Sequence, residues 1–372
     1  MKTGKTIVEL ATELERQATT AQDYTADPVA LSMVLDRLPA QGMSPALPEV
    51  VRTPLLAGLN GDALPLTQHA HRQMGQFTGI PAPYYDRMRQ DAPDLLVSNV
   101  NNWLSNDLSG RQRTVRTLDQ QVRAVLSDRY RRLDSVDVLE AVLPVLKGCQ
   151  VVSCEVTERR MYLKATMPSL SVPVPGSMVA GDVIEAGVVI SNSEVGAGSL
   201  RVETFVRRCV CDNGMIADVG MRKAHLGRSN AADANLQGLL SDRTRQVADV
   251  LLWNEVRDVV QAVLQKDVVQ QVADRAAQAA TDKLPMEALG KLEQVGKVVA
   301  QRMRLPESVR QPMLQHLAAD GDFSRWGVVN AITRSAADVE SYEVATELER
   351  AGGKVLQLKK RDWEAMTAQM LA

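Results

Sequence analysis

The segment VRRCVCDNGMI, residues 206–216, sets two cysteines one residue apart, behind an arginine pair and ahead of an Asn-Gly dipeptide. Thiolates can hold zinc, but a tetrahedral site needs four ligands. Here His225 and Cys154 would have to complete the set, and the sequence offers no second paired-ligand motif. The C-x-C spacing also differs from the C-x-x-C of redox pairs. In a strand, Cys209 and Cys211 share a face with Phe205 and Arg207, while Val206, Arg208 and Val210 take the other. The expectation is a strand of packed cysteines that turns at Asn213 and Gly214. The arginines are the better candidates for chemistry.

A second arginine cluster lies in RQRTVRTLDQQVRAVLSDRYRRL, residues 111–133. Seven arginines (Arg111, Arg113, Arg116, Arg123, Arg129, Arg131 and Arg132) face only two acids there, Asp119 and Asp128. A third cluster holds Arg222, Lys223, His225 and Arg228. Guanidinium forks match phosphate geometry, so these clusters together with Arg207 and Arg208 could line one basic groove. The alternative is a set of solvated arginines on several faces, some paired with acids. Other chemistry is weakly signalled. Asp182, Glu185, Glu194 and Glu203 are scattered, whereas a two-metal nuclease needs carboxylates converging on one point. His69 and His71 fall on different faces of a helix. The loop SNSEVGAGS, residues 191–199, joins strands rather than opening a helix, so it does not read as a phosphate cradle. The GKT at residues 4–6 lacks the upstream glycine of a nucleotide-binding loop. No nucleophile–base constellation, metal site or cofactor motif emerges.

The elements that must position these residues follow from composition and periodicity. A chain of 372 residues with 45% hydrophobic content is long enough for two or three domains around a substantial core. The net charge of −2 supplies no global field for nucleic acid, so any attraction must be local. No apolar run reaches membrane-spanning length. The opening MKTGKTIVELATELERQ carries acids where a signal peptide would be apolar, which predicts a cytoplasmic protein. Four cysteines make no disulfide framework.

The pattern predicts an α+β chain in three parts. Residues 1–115 read as mostly helical with proline-rich breaks. DPVALSMVLDRL (27–38) has helical spacing, the proline-rich stretch to Pro65 reads as irregular or extended, and a helix capped by Thr67 spans 68–77. Residues 116–229 read as a helix starting at Asp134, with Leu139, Val142, Leu143 and Leu146 buried, followed by a mainly antiparallel sheet. Residues 230–372 read as long helices, with Leu236, Leu240, Val247, Leu251, Val259, Val263 and Val272 as an apolar stripe and a break at Gly352 and Gly353.

Four segments, LTQHAHRQMGQFTGIPAPYYDRM, VRAVLSDRYRRLDSVDVL, ISNSEVGAGSLRVETFVRRCVCDNGM and WGVVNAITRSA, resemble in order the phage/plasmid-like protein family of unknown function. Its members are found on plasmids, prophages and integrative elements. The resemblance runs from about residue 20 to 350. The family pattern has one cysteine before the Asn-Gly turn, so Cys209 departs from it, which weakens the metal reading. The order helix, antiparallel meander, long helix is also similar to the core of single-strand annealing recombinases of the Red-beta type. Those proteins hold single-stranded DNA by its phosphates in a basic groove and assemble into rings or filaments.

These resemblances imply a mobile-element protein that binds single-stranded DNA and anneals strands without nucleotide hydrolysis. Arg116, Arg123, Arg129, Arg131, Arg207, Arg208, Arg222 and Lys223 would contact phosphates, with Tyr130 stacking or packing. Asn192 and Glu194 would shape the groove edge or a contact between copies of a homo-oligomer. The alternative is an element-encoded regulator or inhibitor that binds a host protein through its helical C-terminal part. A metal-dependent nuclease would rest on Asp182 or Glu194.

Overall fold

Alternating burial builds the centre of the molecule. The computed structural model describes residues 1–39, 50–59, 61–174, 181–223 and 242–371. Five strands pair antiparallel in the order 5-4-3-2-1: β7 (Gln150–Val156), β8 (Met161–Pro173), β9 (Val183–Asn192), β10 (Leu200–Arg208) and β11 (Asn213–Lys223). Leu163, Ala165, Val188, Ile190, Leu200 and Val202 line one face and are fully buried. The helices α1 (Ile7–Thr20), α5 (Ser135–Val142) and α6 (Asp242–Val263) cover its near half with Leu10, Leu14, Val138, Leu139, Val256 and Val260. The far half meets α7 (Lys266–Thr281) and the helices after it, through Ile184, Ala186, Val206 and Met215.

The opposite face is polar. Lys164 and Glu203 project from it, fully buried, and α12 (Tyr342–Leu356) lies over them. Lys164 Nζ donates to Glu349 at 2.6 Å, and Arg350 holds Glu203 with two guanidinium nitrogens. Val189, Phe205 and Ile216 add a small apolar patch there.

Two smaller sheets belong to the first 127 residues. One pairs β1 (Gln22–Ala26) with β5 (Arg113–Leu118) and β6 (Gln121–Ser127); the other is β2 (Ser32–Pro39), β3 (Val50–Leu59) and β4 (Asp62–Pro65). Between them run α2 (Gln68–Phe77), α3 (Ala82–Asp91) and α4 (Pro93–Ser105). The α+β class and a central antiparallel sheet are as the periodicity predicts, although β8 runs on to Pro173 through a stretch that reads as a connection and β10 stops at Arg208. Thr67 caps α2 by accepting from the Ala70 N–H, also as predicted.

Several expectations need correction. Residues 27–38 are not a helix: Asp27 caps a short 3-10 turn, and Leu31 and Met33 then alternate inward as β2 pairs with β3. The hairpin β5–β6 turns on Asp119 and Gln120, both at positive φ (50° and 60°), which suits a two-residue turn. Leu143 is 42% exposed, since α5 ends at Val142 and a 3-10 turn follows. Val247 and Leu251 face outward; Leu252, Val256 and Val260 form the buried stripe of α6. Leu236 and Leu240 lie outside the described residues.

Gly352 and Gly353 do not break a helix but lie inside α12. A Cβ on Gly353 would sit 1.8 Å from the Ile216 carbonyl oxygen. Gly353 lets the helix backbone touch β11, while Gly352 faces the helix Arg325–Arg334, where a Cβ would sit 2.4 Å from Thr333 Cγ2. Gly353→Ala is therefore expected to cost about 1–3 kcal/mol by overpacking, read as a lower urea midpoint. Gly290→Ala, whose Cβ would meet nothing nearer than 3.7 Å, is the matched control and should stay near wild type.

Candidate nucleic-acid interface

The loop between β9 and β10, residues 193–199, is where three of the conspicuous sequence segments meet. Its key residue is Glu194. One carboxylate oxygen accepts from Arg123, and the other accepts from the Ser135 N–H at 2.7 Å. Glu194 thus caps α5. Asp134, in the capping position, makes no cap bond because its carboxylate is taken by Arg116 at 2.6 Å. Arg116 also donates to Asp23 at 2.8 Å and to the Glu194 carbonyl at 3.0 Å. The loop carbonyls are captured as well. Tyr130 donates to Ser193, His69 and Gln73 to Val195, and Arg160 to Ala197. Asn192 donates to the Leu133 carbonyl at 2.8 Å. His71 faces away and bonds Tyr85.

Electrostatics follow from this burial. Burial alone would raise the Glu194 carboxyl; Arg123, the Ser135 N–H and Arg116 outweigh it and hold the group below its ordinary value. Burial opposes the charge of Arg116, but Asp134 and Asp23 more than offset it. Arg116 and Arg123 are 2% and 6% exposed, so they act first as internal cations. A cleft of about 270 Å³ opens beside them, lined by Gln17, Asp23, Arg132 and Asp134 as well.

The remaining sequence candidates divide between the two ends of the central sheet. Arg207 pairs with Asp212 at 2.7 Å, and Arg208 grips Asp182 with two bonds at 2.9 and 2.6 Å. Both sit at the end of β10, roughly 25 Å along the strand from the Glu194 loop. They do not share a groove with Arg116 and Arg123. Arg222 and Lys223 return to the loop end, where Arg222 donates to Ser199 and Lys223 pairs with Glu255 on α6. Arg131 pairs with Asp249, and Arg129 is exposed on the turn after β6. His225 and Arg228 lie outside the described residues.

The cysteines do not share a strand face. β10 stops at Arg208, residues 209–212 form the turn, and Asp212 takes φ 49°, so Asn213 and Gly214 begin the next strand. Both thiols are half-buried. Burial and the nearby Glu185 push the Cys209 thiol up to about 11. Among the described residues no group of three or more His, Cys, Asp or Glu is placed to hold a metal ion. Asp182, Glu185, Glu194 and Glu203 lie apart, each against an arginine.

Sequence reading missed Arg159, Arg160 and Arg201. The first two sit on the β7–β8 turn, whose N–H groups bond the Thr157 hydroxyl. Arg201 stands opposite Ser191 on β9 and Arg222 on β11. The adjacent arginines between two strand patterns were the available signal. Among the described residues, Arg159 Nε, Arg160 Nη1 and Arg201 Nε at the loop end of the central sheet, and Arg123 Nε beside it on β6, are buried N–H groups without an acceptor, as are Arg113 Nε and Arg325 Nε elsewhere.

No family model, no curated protein and no solved structure matches the chain.

Removing the Glu194 charge leaves two buried guanidinium groups undercompensated. Glu194→Gln is expected to cost about 3–5 kcal/mol. The pH dependence has a definite sign. The folded carboxyl lies below its ordinary 4.5, so its contribution is complete above that value and is lost as pH falls through the folded pKa. The urea-midpoint gap between wild type and Glu194→Gln should be full at pH 7 and shrink steadily as pH is lowered from the ordinary value through the folded pKa; a gap that stays constant down that series would contradict this.

Proposed function

We propose that the protein binds single-stranded nucleic acid by its phosphates along the loop end of the central sheet, and that it promotes strand annealing without nucleotide hydrolysis. The observation that carries this reading is the gathering of guanidinium N–H groups on Arg159, Arg160 and Arg201 at one end of the central sheet, with Arg123 of β6 beside them, that lack an acceptor among the described residues. Buried donors lacking acceptors favour an anionic ligand. The order α5, five-strand antiparallel meander, α6 supports the reading by its similarity to the annealing recombinases. On the same reading the protein belongs to a mobile element and works as a ring or filament.

Few rings stand ready to stack bases. Trp103 and Tyr84 are half-exposed, on α4 and α3, away from the arginines. A protein that holds backbone and leaves base edges free suits annealing better than sequestration.

The test is equilibrium binding to labelled single and double strands across a salt series, without added metal. Preference for single strands is expected, with log affinity falling by roughly 0.7 per phosphate contact against log salt. Arg159→Gln with Arg160→Gln should weaken binding and flatten that slope. Arg207→Ala, at the other end of the sheet, should not. Absence of binding by folded protein at low salt would sink the proposal. The alternative, a protein-binding regulator, draws on one observation: Val247, Val250 and Leu251 form an apolar stripe on α6 that is 63%, 60% and 59% exposed. It expects a stable host partner lost on Val250→Asp, with negligible nucleic-acid affinity.

A further inference from the structure

We infer that Arg160, Arg201 and Arg222, with the Ser191 hydroxyl, form a subsite for a single phosphate group. The inference rests on the nucleic-acid reading for the source of that phosphate, not for its chemistry.

Register places the groups together. Arg201 on β10 pairs with Ser191 on β9 to one side and with Arg222 on β11 to the other, so the three side chains stand in one row on one face, with strands about 4.8 Å apart. Tyr162 pairs with Ser191 on the other side, and Arg160 precedes it by two residues, on the same face by alternation. Like charges directly opposite in a sheet destabilise it. Arg201 and Arg222 are such a pair. Burial, Arg350, Arg160 and Arg222 all work against the charge of Arg201, and Glu203 relieves it only in part.

The acids nearby are already committed. Glu203 stands 3.9 Å from Arg201 but is held at 2.9 and 2.5 Å by Arg350. Glu347 also pairs with Arg350, and Glu343 with Arg159. Among the described residues, Arg160 and Arg222 bond only neutral oxygens, the Ala197 carbonyl and the Ser199 hydroxyl. Three donor groups are left over. Among the described residues, Arg160 Nη1, Arg201 Nε and the wholly buried Ser191 hydroxyl have no partner. Gly198 leaves room for the Arg160 head: a Cβ there would lie 1.5 Å from its Nη2. A tetrahedral, multiply charged oxyanion satisfies these donors and removes the repulsion at once.

The experiment reads thermal midpoints with inorganic phosphate or pyrophosphate against chloride at equal ionic strength, alongside the single-strand salt series. Wild type should gain a midpoint shift that grows with the logarithm of phosphate concentration. Arg222→Gln, at an exposed position and relieved of like charge, should fold at least as well without phosphate, lose most of the shift, and lower the salt slope by about one contact, roughly 0.7. Ser191→Ala keeps the charges and should reduce the shift less. No phosphate shift together with an unchanged slope in Arg222→Gln overturns the subsite and leaves single-strand binding standing. A phosphate shift without single-strand binding keeps the subsite, makes free phosphate its ligand, and fells the nucleic-acid reading.

Discussion

One buried carboxylate organises the junction of the molecule. Glu194 sits where α1, the β5–β6 hairpin, α5 and the central sheet meet, and burying its charge is expensive unless every lone pair is answered. Arg123 from β6 and the Ser135 N–H from α5 answer it, while Arg116 from β5 grips the same residue by its carbonyl. Arg116 in turn needs Asp23 from β1 and Asp134 before α5. Each charge is satisfied only when elements from distant parts of the chain arrive together. The N-terminal sheets are thereby held in one orientation on the central sheet, since apolar contact alone is tolerant of sliding and a guanidinium donating to three separate acceptors is not.

A second internal pair does comparable work on the opposite face. Lys164 and Glu349 are both wholly buried and bonded at 2.6 Å. The Tyr342 ring lies 4.6 Å from the ammonium, and its hydroxyl bonds Ser153. Arg350 and Glu203 repeat the arrangement one residue further along α12. Apolar replacements of equal volume could give similar stability. What the ionic pairs add is register: only one rotation of α12 puts Glu349 on β8 and Arg350 on β10. That same rotation presses Gly353 against β11.

The sequence carried the local part of this structure and not the rest. Period-two alternation located β7 to β10, and a threonine before an amphipathic run located α2, because both signals lie within a few residues. Residues 27–38 misled because Leu31 and Met33 fit either period, and the strand that decides the matter, β3, is supplied by a proline-rich stretch with no strand signature. The arginines misled for a different reason. A cluster of seven in residues 111–133 looks like a patch. The acids that consume Arg123 and Arg131 lie 71 and 118 residues away, and Arg116 is shared between Asp134, 18 residues on, and Asp23, 93 residues back. Arg201, alone between a leucine and a valine, gave no warning that its neighbours across the sheet would be a serine and another arginine.

A net charge of −2 is consistent with a local anion-binding surface once charges are sorted by partner rather than by count. Arginines spent inside ion pairs contribute little field outside, because their acids lie within a few ångströms and cancel them. The field at the surface comes from cations whose only contacts are neutral. At the loop end of the central sheet Arg160 and Arg222 are of this kind, and Arg201 shares an acid already held by Arg350. Such a surface attracts over about one Debye length, near 8 Å at physiological salt, and then offers donors whose partners the fold itself does not provide. Long-range steering would be weak and short-range capture strong, so affinity should be governed by how fast a phosphate leaves the guanidinium donors rather than by how fast it arrives.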